Sequence, residues 1–408
     1  MESPVEKVLK MIKDGTVNPE EGQHLLDALE EHFDMLPVDD EMAVLEDCED
    51  AWEKEDVGTT EEIEEENTGD VSLAGVESVR INLSGELDLY LKGKESPEAV
   101  INVDREHVGC LKFRRENGIL NISNHKACKT RCEKIDMEIR SPRAVPISIK
   151  ARDGELNLRQ IPGNIDIKGR SCDVFLQKFG GEKASISTND SDIEVDIADG
   201  DLKIKSVSGD VRISEVIGSI SVSTVSGDIE LFKLSGDIDL QSRSGDIEGA
   251  TLEGKINCKS ASGDIEMTDL SGEAALSGNS GDIEIERSMG AFQLKTSSGD
   301  IEARKITVET LTARTSSGSI EADVEVLEEG SKLEAKTNSG YIVLRLPGEC
   351  DGKITAKTRS GYIDNGAKLC KQDSAEEKFL EGYLSDSDMI DHPEISLKSN
   401  SGRIKIRR

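Results

Sequence analysis

Ser226-Gly227-Asp228-Ile229-Glu230-Leu231, Ser244-Gly245-Asp246-Ile247-Glu248-Gly249, Ser262-Gly263-Asp264-Ile265-Glu266-Met267 and Ser280-Gly281-Asp282-Ile283-Glu284-Ile285 are four versions of one hexapeptide, each eighteen residues after the last. Within that period a glycine returns at every ninth position from Gly200 to Gly299. Nine residues suffice for a strand of about five, roughly 17 Å long, and a turn of four. The second and fourth residues after each glycine are mostly apolar, as in Ile238 and Leu240, Ile256 and Cys258, or Ile283 and Ile285, with a polar residue between them. This is the period-two alternation of a strand with one buried face.

Two such strands per eighteen-residue coil predict a mainly β protein built as a two-sided parallel β-solenoid, each coil stacked about 4.8 Å from the next. A coil alone buries little, so the stability of such an array lies between neighbours. Glycine is expected at the corners for its access to positive φ, with Ser and Asp bonding turn amides. A valine at Gly263 should distort one corner. A β-propeller with 36-residue blades is the alternative, but no marker recurs only at 36.

Outward from the repeats, the spacing loosens. The beat begins at Gly154, slips by one residue at Ser191, and after Gly299 returns at Gly318, Gly340, Gly361 and Gly402. The last interval holds either two coils or one coil with an acidic loop near 372–391. The predicted β domain therefore spans 71–408: an irregular cap over 71–153, regular repeats over 154–310 and looser coils over 311–408. Residues 39–70 hold sixteen acids and one base and read as a flexible acidic linker. Residues 1–38 read as a helical hairpin. Val5, Val8, Leu9 and Ile12 share one helical face after Ser3-Pro4, and Leu25, Leu26 and Leu29 share another after Asn18-Pro19-Glu20-Glu21. Thirty residues bury little alone, so these seven residues form a candidate face for docking a protein partner or for self-association.

The chain of 408 residues has a formal net charge of −33, and residues 1–70 hold 25 acids against 4 bases. Nucleic acid and anionic lipid are repelled by such a surface, whereas cationic peptides fit it. Eight scattered cysteines make no small-domain disulfide framework, and reduced thiols are the expectation. There is no apolar run of signal-peptide or membrane-span length, so a cytoplasmic protein, at most peripheral to the membrane, is expected, with export left open.

PRAVPISIKARDGELNL (142–158) followed by the Ser-Gly-Asp-Ile series resembles the bacterial "putative adhesin" repeat family of β-solenoid domains. KVLKMIKDGTVNPEEGQHLLDALE (7–30) resembles the small SHOCT-like helical module that often precedes it. The resemblance implies a non-enzymatic scaffold for protein or envelope-ligand interaction, associated with cell-envelope stress or regulation in bacteria.

Catalytic and cofactor motifs are absent: no Gly-x-Ser-x-Gly, no phosphate loop and no His-Glu-x-x-His occur. His125, Cys128 and Cys132 fit no usual zinc spacing, and the single Gly180-Gly181 does not make a calcium-binding repeat. No catalytic residue, metal ligand or cofactor is therefore assigned. Two acidic ladders remain as the candidate interaction surface. Asp210, Asp228, Asp246, Asp264, Asp282 and Asp300 are expected along one corner edge, and Glu230, Glu248, Glu266, Glu284 and Glu302 along one flat face open to a cationic partner. A β-helical carbohydrate-active enzyme is the second reading, but the acids recur too evenly to single out a catalytic pair.

Overall fold

In a computed structural model, residues 61–62, 69–104, 108–124, 134–385 and 392–408 are described. Residues 1–38, where a helical hairpin is expected, most of the acidic segment and the residues from His125 to Cys132 lie outside them. The described chain is mainly β: a parallel β-solenoid whose strands join one sheet system. Its regular coils pair at eighteen residues, Ile229 with Ile247, Ile247 with Ile265 and Ile265 with Ile283. Among the described residues no helix is long and apolar enough to cross a membrane.

The inward residues of one coil are Ile229 and Leu231, then Leu234, then Ile238, Leu240 and Ser242, all nearly inaccessible. Alternation breaks at Phe232-Lys233 and at Ser235–Asp237 as well as at the Ser-Gly-Asp corner, so each coil bends three times rather than twice. Lys233 takes φ 55° and Gly236 φ 140°. The ladder to the next coil runs on through the Gly236 bend, pairing Gly236 with Gly254. The two nine-residue halves are thus not equivalent: one half ends in a loop corner, the other in a bend of a continuous fourteen-residue strand, Ile229–Ser242.

Isoleucine fills the first inward position coil after coil because a β-branched side chain packs against an identical neighbour one strand away. Cys258 occupies an inward position between Leu240 and Leu276. Burial pushes its thiol pKa up, as it does for Cys172, raised to about 11. Both cysteines are core residues, but Cys110 is disulfide-bonded. The expectation of reduced thiols fails there, since spacing along the chain does not reveal which thiols the fold brings together.

Both ends depart from simple winding. At the C-terminal end, Ile342 pairs with Ile404, and Ile404 with Ile363. The last segment, Glu394–Arg407, is therefore inserted between the coil ending at Arg345 and the coil Lys353–Asn365, which is outermost. The long final interval is one coil carrying an antiparallel hairpin, Lys371–Glu376 with Phe379–Tyr383, that pairs with Lys353–Thr358. At the N-terminal end the coil Ser78–Glu95 likewise lies inside the later segments Ile119–Asn124 and Lys134–Ser141. Antiparallel strands again cover the outermost coil, Leu111–Glu116 on one side and Val100–Val103 on the other. Glu61–Glu62, from the acidic segment, pairs with Arg114 and Arg115. Parallel edges invite further strands, and antiparallel caps close them.

Candidate functional site

From Gly227 to Gly299 the glycines of the loop corner are required by contact rather than by conformation, whereas Gly209 has φ 105° as well. Gly263 lacks positive φ, yet a Cβ there would overlap the carbonyl oxygen of Gly245 one coil below. The positive-φ expectation holds at the other bend, where Gly254 has φ 124°. Close stacking at the Ser-Gly-Asp corner is fixed by two hydrogen-bonded columns.

On the outside, each aspartate from Asp210 to Asp282 accepts a hydrogen bond from the backbone N–H of the aspartate in the following coil, and Asp300 accepts one from the Ser319 N–H. The Asp264 N–H donates to Asp246 Oδ1 at 2.8 Å, and the Asp282 N–H to Asp264 Oδ1 at 2.8 Å. The same bond links Asp210 to Asp228, Asp228 to Asp246, and Asp282 to Asp300. The carboxylates therefore bond amides of the neighbouring coil rather than their own turn. Among the described residues no three His, Cys, Asp or Glu side chains are grouped as a metal site.

On the inside runs a column of hydroxyls three residues before the corner glycines, interrupted at Gly278. Thr337 accepts the Gly340 N–H at 3.1 Å and donates to the Gly318 carbonyl at 2.8 Å. Thr296, Thr315, Thr358 and Ser399 do the same in their own coils. Ser-x-x-Gly or Thr-x-x-Gly at the repeat spacing is the signal that identifies it.

The five glutamates stand in one strand register, Glu230 beside Glu248, then Glu266, Glu284 and Glu302. The ends of this ladder are neutralised. Arg212 grips Glu230 with two bonds of 2.8 Å and holds its carboxyl below the usual range. Arg304 bridges Glu284 and Glu302. Glu248 and Glu266, exposed between these clamps, have no cation partner among the described residues.

Desolvation, then Glu248, Glu284, Asp264 and Asp246, push the Glu266 carboxyl above its ordinary range. A carboxyl whose pKa is higher folded than unfolded binds protons more tightly when folded. Its contribution to stability therefore grows as pH falls through the folded value and levels off below the unfolded one. Glu266→Gln should stabilise the fold near pH 7 by a few tenths of a kcal/mol, the scale of a screened like-charge pair. That gain should vanish near pH 3 in paired urea titrations.

The same face changes sign toward the C-terminus. The glutamate column continues through Glu321 and Val343 to Lys405 and Asp364. The corner position passes from aspartate to Tyr341, Arg403 and Tyr362. Both tyrosines are 45% exposed, and the Arg403 guanidinium lies 5.0 Å from the Tyr362 ring centre. Arg407 and then Arg403 bind Asp364 and lower its pKa to about 2.

Stacked coils, ladders of identical contacts and capped ends define a repeat scaffold. Residues 53–253 and 233–407 match the Toastrack DUF4097 family, and the chain belongs to it. Residues 7–30, where a helical module is expected, lie outside both matches. No curated protein matches the chain. A crystal structure described as a "putative cell adhesion protein" from Clostridium sporogenes ATCC 15579 is 12% identical, the similarity covering 83% of this chain and 95% of that one at a TM-score of 0.15.

Proposed function

We propose that the chain is a non-enzymatic interaction scaffold whose acidic face recognises a cationic protein or peptide. The observation that carries this reading is the uncompensated pair Glu248 and Glu266, held one coil apart on a rigid sheet between two arginine clamps. Exposed like charges in register destabilise a sheet, so a cation bound across them removes a standing repulsion. The hairpin of residues 1–38 is a second docking element in this proposal, and the envelope-stress setting implied by the family resemblance is its context.

A labelled oligo-arginine peptide titrated into the full chain tests the face. The double variant Glu248→Lys/Glu266→Lys should weaken binding about tenfold or more, in line with coupling between close charge pairs. Unchanged affinity in that variant would refute the reading. Capture by the full chain compared with a chain lacking residues 1–38 tests the hairpin. Identical partners in both would rule it out as a docking element.

A further inference from the structure

The acidic stretch and the basic, tyrosine-bearing stretch occupy the same outward columns of one sheet, because strand register carries each column unbroken from the repeats into the C-terminal coils. The acidic part comprises the coils with Asp246 and Glu248, Asp264 and Glu266, and Asp282 with Glu284 and Glu286. The basic part comprises the coils carrying Arg345, then Arg403, Lys405 and Arg407. Between them lie only the coils of Glu302 and Glu321.

We propose that this face binds a second copy of the chain, antiparallel and related by a two-fold axis lying in the interface between those two middle coils. The inference rests on the reading of the face as an interaction surface and names its partner. Reversing the stacking direction about such an axis leaves strand direction unchanged, so each outward column meets its own equivalent. Asp264 then meets Arg403 of the second copy, Glu266 meets Lys405 and Glu286 meets Arg345. Asp246 and Asp282 meet the hydroxyl-bearing Tyr362 and Tyr341. In the middle, Arg304 meets Asp323, while Glu302 and Glu321 approach each other with a guanidinium on each, from Arg304 and Arg345.

Several features of the face favour this occupant. Lys405, like Glu266, has no ion-pair partner among the described residues, so this complementary pair is left unused, while Glu248 meets Asp364, whose charge Arg403 and Arg407 already offset. Tyrosine and arginine are the residues that dominate binding energy at protein interfaces. Two of the four tyrosines of this aromatic-poor chain lie here at corner positions, where they fill no core. Eight coils at about 4.8 Å span roughly 38 Å, and strands of about five residues are roughly 17 Å wide. The patch of about 650 Å² per copy then approaches the roughly 800 Å² per partner of a standard interface.

Sedimentation velocity of the full chain at about 0.05 M and about 0.5 M salt tests it, since exposed charge pairs are screened at the higher value. The expected result is a dimer at low salt that dissociates at high salt. Glu266→Lys and Lys405→Glu should each raise the dimer dissociation constant about tenfold or more, and their combination should restore it toward the starting value. Matching thermal melts exclude misfolding as the cause. A monomer at low salt and about 100 μM, or a dimer indifferent to both single reversals, overturns the proposal. A monomer that still binds oligo-arginine through Glu248 and Glu266 overturns the self-pairing alone, whereas loss of both results sinks the acidic-face reading as well.

Discussion

Gly263→Ala is expected to cost more than about 3 kcal/mol and to lower the midpoint of thermal unfolding by several degrees, although it adds only a methyl group to an ordinary backbone conformation. Alanine in place of glycine at negative φ is ordinarily neutral or stabilising. Here the new carbon would overlap the Gly245 carbonyl oxygen of the adjacent coil, and backbone cannot swing aside as a long side chain can. Relief requires parting two coils, which stretches the Asp246–Asp264 amide bond that joins them. Gly180→Ala is the control, since a Cβ there meets nothing within 4 Å. Denaturant titrations followed by circular dichroism should show a near-native midpoint for the control and a large loss for Gly263→Ala. Equal midpoints would mean that the corner has room for a methyl group without parting the coils.

The period, strand face and corner chemistry of this fold were legible because stacking imposes the same demand on every coil, and identical demands leave identical residues. Eighteen-residue register, inward Ile229, Ile247 and Ile265, and the in-register glutamates all followed from that repetition. The composition of the turn suggests positive φ, which Gly209 adopts, but from Gly227 to Gly299 the constraint on the corner glycine comes from another coil and leaves no mark on the local sequence. The bend at Lys233 was hidden too, because positive φ falls there on ordinary residues such as Thr251 and Asp269.

Winding order at the ends was illegible for a different reason. Ser401-Gly402-Arg403-Ile404 has the wording of any coil, and wording does not tell which neighbours it joins; only the pairing of Ile404 with both Ile342 and Ile363 shows the insertion. The sign change along the glutamate face depends on that order, since it is the inserted segment that brings Arg403, Lys405 and Arg407 beside Arg345.

Thr337→Val should lose about 2–4 kcal/mol, measured by chemical denaturation, because it replaces one group that satisfies two buried partners with an isostere that satisfies neither. Thr337 is 1% exposed, so water cannot substitute for its hydroxyl. The Gly340 N–H and the Gly318 carbonyl both turn toward it at the closest approach of two coils. Each unmet buried group costs on the order of 1–3 kcal/mol, whereas the shape change is small. Thr337→Ser keeps both bonds and should lose about 1 kcal/mol, the value of the missing methyl. Ser260 provides the opposite control: it occupies the same column, but its hydroxyl has no partner among the described residues, and Gly278 follows it in the next coil. Ser260→Ala should therefore be neutral or slightly stabilising. The ordering Thr337→Val well below Thr337→Ser, with Ser260→Ala at or above the parent, separates a hydrogen-bonded column from simple packing. Packing alone would place the isosteric valine closest to the parent.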